Sequence, residues 1–302
     1  MNRIVDISDK KLMIVSDLHG NQHDFNRVMN RFHHFKQQGE VDQLIFLGDI
    51  VHSFNYKKDA SLNILNTLIE KGANEPGSEI VCLLGNHELV HLFHIPLRKG
   101  NWEFNKGLEW KMAKDREPYH RFFCNMPVAV RTAGGVMINH TGAGPFYSEQ
   151  RLQDNGLFGA FLREWQFDGV VKQLFTDDVI SQMRHKYLPE SGCRLMETQT
   201  GKVLWETFMN GNEHQYDAGQ YENYVLDLLN YYSWDRLDKP MQMVVSGHIG
   251  EDWGISLIGS KQLRICSSAG CSLDLEKKFL IVDAQKEYLS MDELKIGLKD
   301  VY

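Results

Sequence analysis

The sequence predicts a layered α/β fold in which helices pack over a largely parallel or mixed sheet, and three observations predict it. Short runs rich in Val, Ile and Leu alternate with segments of helical spacing early in the chain. Five such runs are apolar on both faces, as strands covered on both sides are. Each of the five leads directly into a residue able to bind a metal, and in layered α/β folds ligands collect at the carboxyl ends of the strands.

In chain order, the first run is Lys11-Leu-Met-Ile-Val-Ser-Asp17, followed by Leu18 and His19. From Asp24 to Gln38, Phe25, Val28, Met29, Phe32 and Phe35 fall at helical spacing, so a strand, a ligand turn and a helix succeed one another. The second run, Gln43-Leu-Ile-Phe-Leu-Gly-Asp49, is followed by a helix over Ala60 to Lys71, with Leu62, Leu65, Leu68 and Ile69 on one face and Gly72 as its stop. Ile80-Val-Cys-Leu-Leu-Gly-Asn86 is the third run and continues into His87 and Glu88. Residues 89–126 then read as a helical, aromatic-rich insert. Gly135-Val-Met-Ile-Asn-His140 is the fourth run, and residues 145–239 read as cap material over a site. The fifth run, Met241-Gln-Met-Val-Val-Ser-Gly-His248, is followed by strands at Gln262 to Ser267 and Lys278 to Asp283 and then a polar tail. Without repeats, low-complexity segments or linkers, residues 1–302 are expected to form a single domain carrying the insert and the cap.

A net charge of −7 opposes non-specific attraction to nucleic acid or an anionic membrane. Five scattered cysteines without CxxC spacing disfavour both a disulfide framework and a structural zinc site, so the expected setting is the cytoplasm. No apolar run is long enough for a membrane span.

Taken alone, Asp17 with His19 is a turn capping the next helix, and Gly85-Asn86-His87-Glu88 is a turn before a helix with Glu88 at its positive end. Turns have no reason to repeat metal-ligand chemistry five times. Two carboxylates, one amide and three imidazoles suit manganese, iron or zinc better than calcium.

The ordered set Asp17-Leu-His19-Gly, Gly48-Asp49-Ile-Val, Gly85-Asn86-His87-Glu88, Asn139-His140 and Ser246-Gly-His248-Ile resembles the calcineurin-like metallophosphoesterase superfamily, most closely its serine/threonine protein phosphatase and diadenosine tetraphosphatase branch. The resemblance implies a four-layered α/β/β/α sandwich of two mixed sheets flanked by helices. It further implies two divalent metal ions, one held by Asp17 and His19, the other by Asn86, His140 and His248, with Asp49 shared. Two ions about 3.5–4 Å apart would acidify a bridging water for in-line attack on phosphorus, and His87 would be the general acid.

Departures from that branch also matter. Where it carries an acidic residue to orient the catalytic histidine and an arginine to grip phosphate, this chain has His52 and Ser53, and Leu84 stands where a second arginine is common. Guanidinium contacts to phosphate have no equivalent in serine or leucine. Arg98, Arg131, Arg151 or Arg163 are the candidate replacements. The expected partner is thus a phosphorylated small molecule, a nucleotide or a phosphoprotein. The alternatives are a nucleotide or diadenosine-polyphosphate hydrolase and, more remotely, a non-catalytic binding scaffold. His91 and His94, four and seven residues after His87, and the tyrosines of the Tyr221 to Tyr232 segment are read as structural.

Overall fold

Alternate side chains of a strand leave on opposite faces, and here that parity divides the core into layers. The computed structural model describes residues 3–99, 102–147, 170–209, 213–235 and 239–302. Its strands are β1 (Ile4–Ile7), β2 (Lys11–Val15), β3 (Gln43–Phe46), β4 (Ile80–Cys82), β5 (Arg98–Lys99), β6 (Trp102–Glu103) and β7 (Ala129–Thr132). They continue with β8 (Val136–Asn139), β9 (Met243–Ser246), β10 (Ile255–Ile258), β11 (Gln262–Ile265), β12 (Lys278–Asp283) and β13 (Leu298–Asp300).

Five strands form one sheet in the order β13-β12-β2-β3-β4, and six form another in the order β1-β7-β8-β9-β11-β10. From both sheets, Leu12, Ile14, Ile45, Val81, Val136, Ile138, Met243 and Val245 gather in one buried cluster. Their neighbours Met13, Val15, Leu44, Phe46, Cys82, Met137 and Val244 face a second cluster, shared with the helices. The first cluster is the seam between the sheets and the second packs helices on their outer faces, which gives the four layers and mixed sheets that the sequence leads one to expect.

Register places together the five strand ends that carry the candidate ligands. β2, β3 and β4 are parallel neighbours, with Val15 opposite Phe46 and Phe46 opposite Cys82. In the facing sheet β8 and β9 are also parallel, with Ile138 opposite Val245. All five therefore finish at one rim of the seam.

The two expected helices form as α1 (Gln22–Gln37) and α2 (Ser61–Glu70). The Asn21 side chain caps α1, accepting from His23 N and Asp24 N, so Asp17 and His19 are not used for capping. The insert contains α3 (Asn86–Leu92), the β5–β6 hairpin, α4 (Phe104–Met112) and α5 (Glu117–Cys124). The cap contains α6 (Asp177–His185), α7 (Pro189–Met196), α8 (Gln199–Phe208) and α9 (Ala218–Tyr232), and α10 (Met291–Lys295) lies near the end of the chain. Leu188 N donates to His94 Nδ1 at 2.8 Å, which fastens the cap to the insert. In α9, Tyr221, Leu228, Tyr231 and Tyr232 are buried, and Tyr231 and Tyr232 pack on Tyr147; this is the core role read from their spacing. All five cysteines are free thiols. Among the described residues, no helix is long and apolar enough to cross a membrane.

Candidate metal centre

The turns that follow the strands carry unusual backbone. Asp17, His19, Asp49 and His248 have φ of 38°, 46°, 50° and 76°, a left-handed region that non-glycine residues seldom occupy and that clusters at functional sites. The turns are tied to one another, since His19 N donates to Asp49 O at 2.8 Å and Gly20 N to Ile50 O at 2.7 Å. Glu88 fixes the Asp49 turn from the other side. Its carboxylate accepts from Asp49 N, Ile50 N, Val51 N and Gly85 N at 2.8 to 3.2 Å. Gly85 has to be glycine here, because a Cβ would collide with Asp49 N and Oδ1. At Gly247 a Cβ would meet the Asp17 carboxylate, and His248 N donates to both Asp17 oxygens at 3.0 Å.

Two groups of ligand atoms converge, each lying within 4.8 Å of one another: His19, Asp49 and His87, and Asp49, His140 and His248. Asp49 belongs to both. Asn86 joins the second, its Oδ1 2.9 Å from His140 Nε2 and 3.1 Å from His248 Nδ1. Asp49 Oδ1 stands 3.3 Å from His140 Nε2. Asp17 belongs to neither group; its carboxylate accepts from His248 N and interacts electrostatically with His140, Asp49 and His19.

A cation suits this donor set. His140 Nδ1 donates to Leu47 O at 3.0 Å, so a neutral His140 turns a bare Nε2 to the centre. Asn86 Oδ1 there faces only acceptors, and turning the amide over would offer N–H groups to the same His140, His248 and Asp49 atoms. One ring atom has no such remedy, for His19 Nδ1 is buried with no partner. Ligands about 2.1 Å from one ion sit about 3.0 to 3.4 Å from each other in octahedral or tetrahedral geometry, and the separations of 2.9 to 3.3 Å are close to that spacing.

Electrostatics points the same way. Burial opposes a charge on His140, yet Asp49 outweighs it and raises the ring to about 9. Burial likewise opposes ionisation of Asp49, but His140 and the other imidazoles hold it well below the usual carboxylate range. A pocket that draws a proton onto an imidazole is supplying positive charge that a divalent ion would otherwise bring.

His87 faces the other way as well. Its Nδ1 lies 2.9 Å from His52 Nδ1, its ring meets His19 edge-on, and its backbone N donates to Asp49 Oδ1 at 3.0 Å. Behind it stand His91 and Glu109, both buried, and His91 bridges His52 and Glu109. The one signal in the sequence was the i, i+4 spacing of His87 and His91 on a helix face.

Of the four arginines read as possible phosphate contacts, the two among the described residues are engaged elsewhere. Arg131 is locked to Asp6, Asp235 and Tyr232 O, and exposed Arg98 pairs with Glu103. Arg151 and Arg163, with Trp165 of the cap, lie outside the described residues. Arg264, which sequence reasoning passed over, is wholly buried behind the centre, donating to Gly247 O and Glu213.

Residues 10–252 match the family model described as calcineurin-like phosphoesterase. Among solved structures, a protein serine/threonine phosphatase from Saccharomyces cerevisiae is 14% identical, with 93% of this chain and 77% of that one covered at a TM-score of 0.50. A cold-active protein-tyrosine phosphatase from a psychrophilic Shewanella species is 15% identical, with 94% and 78% covered at a TM-score of 0.51. At such identities the likeness shows the fold. No curated protein matches the sequence.

Proposed function

The chain belongs to the calcineurin-like phosphoesterase family, and on that premise we propose that it is a dimetal phosphatase hydrolysing a phosphoric monoester. The observation that carries this reading is the membership of Asp49 in both ligand groups, the position of a carboxylate shared between two ions. Asp17 and His19 would hold one ion and Asn86, His140 and His248 the other, with manganese, iron or zinc as the suitable metals. Bound there, the ions supply an acidified water and offset phosphoryl charge. The same reading takes residues 1–302 as one catalytic domain, with 89–126 an insert and 145–239 a cap. It also places the protein in the cytoplasm, in keeping with five free thiols.

His87 is the residue we assign to protonate the leaving oxygen. Burial holds it down to about 3, so the ring is neutral on its own. A proton at its Nε2 therefore needs support, from the phosphoryl charge or along the contact to His52.

Hydrolysis of p-nitrophenyl phosphate with added manganese tests the reading. The parent protein should turn over, and Asp49→Asn should lose at least about a thousandfold. An inert parent with every divalent ion tried would favour a binding scaffold. A panel of phosphopeptides, nucleotides and dinucleoside polyphosphates then sorts the substrate class.

A further inference from the structure

Behind His87 runs an unbroken file of buried polar groups. His87 Nδ1 is 2.9 Å from His52 Nδ1, His52 Nε2 is 2.6 Å from His91 Nε2, and His91 Nδ1 is 2.7 Å from Glu109 Oε1. Arg116 closes the file with a fork, donating through Nε to Glu109 Oε2 at 2.8 Å and through a terminal nitrogen to Oε1 at 3.1 Å. Its other terminal N–H groups go to Met183 O and His91 O. All five side chains are buried.

Glu109 fixes the sense of the file. Burial would raise its carboxyl, but the His91 hydrogen bond and Arg116 outweigh burial and hold it at about 2, so it is a carboxylate that can only accept. His91 Nδ1 therefore carries a proton. As a neutral ring His52 has one proton for its two contacts. With His91 neutral, the protons sit on His52 Nε2 and His87 Nδ1, and His87 Nε2 is bare. With one more proton, His91 carries two beside Glu109, the His52 proton moves to Nδ1, and the neutral His87 presents Nε2–H.

We infer that His52, His91 and Glu109 form a proton relay that arms His87, in place of a single carboxylate behind it. The inference rests on the assignment of His87 as general acid. In the step itself the His87 Nε2 proton goes to the leaving oxygen, the His52 Nδ1 proton to His87 Nδ1, and the His91 Nε2 proton to His52 Nε2. Three N–H bonds break and two N–H bonds and one O–H bond form. The positive charge leaves His91, while His87 never becomes an anion. Arg116 holds Glu109 in line, and His91 and Glu109 are positioning residues that act through His87.

The test compares phenyl phosphate, whose leaving group needs a proton, with p-nitrophenyl phosphate, whose leaving group does not. His91→Phe keeps a ring beside Phe123, 5.6 Å away, and leaves Glu109 bonded to Arg116, and its far-ultraviolet circular dichroism should match the parent's. Its kcat on phenyl phosphate should fall roughly 10- to 100-fold, part of the about 10²–10⁴ that general acids contribute. On p-nitrophenyl phosphate kcat should change less than about threefold, and KM should hold for both. Adding H52D to that variant should restore phenyl phosphate turnover, because an aspartate Oδ1 stands where the His Nδ1 does and position 52, at φ 69°, suits aspartate. Equal losses on both substrates, or no rescue, overturn the relay. If H87A discriminates between the substrates and H91F does not, the relay falls and the general acid stands; if H87A treats both alike, both fall. Nitrogen-15 spectra of the metal-free protein give a reading without turnover, and a His91 Nδ1 that carries no proton overturns the relay on its own.

Discussion

Asn86 and His87 are consecutive, yet the regions they face are built on opposite principles. On the Asn86 side, Asp49, His140 and His248 bring acceptors to within 2.9 to 3.3 Å of one another, and the pocket compensates by raising His140 to about 9. On the His87 side, His52, His91, Glu109 and Arg116 form an ordered chain ended by a carboxylate and a guanidinium. The first region lacks positive charge, and the second already contains it. The acceptors around Asn86 therefore suit a divalent ion in a way that the ordered file behind His87 does not, although both regions are buried and rich in histidine.

The largest effect that could break this contrast is on metal affinity. Asp49→Asn should weaken binding of manganese by about 4 kcal/mol, near a thousandfold, as removal of one charge from a buried cluster does. Glu109→Gln should change it less than about threefold. Titration calorimetry of both variants decides, and a Glu109→Gln variant that loses the metal would show the two regions to be one.

Next in size is the acid limb of stability. Glu109 is held at about 2 against an ordinary value of 4.5. A depressed folded-state value stabilises above the unfolded one, and the contribution is lost as pH falls from about 4.5 towards about 2. Its full size is about 3 kcal/mol. The parent should thus exceed Glu109→Gln by about that much in unfolding free energy near neutrality, and the gap should close in acid. A gap unchanged down to the lowest pH would mean that the carboxylate is not what orders this region.

The two regions were not equally legible in the sequence. The strand-end ligands announce themselves because β2, β3, β4, β8 and β9 are buried on both faces, and apolar runs of that kind are conspicuous beside the polar residue that ends each one. Strands β1, β7, β10 and β13 were not anticipated; three of them are edge strands, with mixed or exposed faces that leave only a weak pattern. The relay was hidden for a different reason. Its members come from a turn and two helices of the insert, and no periodicity links His52 or His91 to Glu109. The departure at His52 read as a loss of the orienting acid, whereas the acid stands two imidazoles further back. Arg131 misled for the reason that makes arginine a poor guide to phosphate in general: any pair of carboxylates can claim it, and Asp6 with Asp235 does.

The smallest effect sharpens the contrast most cleanly, because it needs no catalysis. A ligand that binds only the folded protein stabilises it by about 2.7 kcal/mol at a hundred times its Kd. For a chain of this size that is a rise in Tm of about 4 °C. Manganese should raise the Tm of the parent and of Glu109→Gln by the same amount, since the relay neither binds the ion nor shares its charge. It should leave Asp49→Asn almost unmoved. If Glu109→Gln gained distinctly less than the parent, charge in the insert would be helping to hold the ion. The lone pairs around Asp49 would then not be a sufficient account of why a cation belongs there.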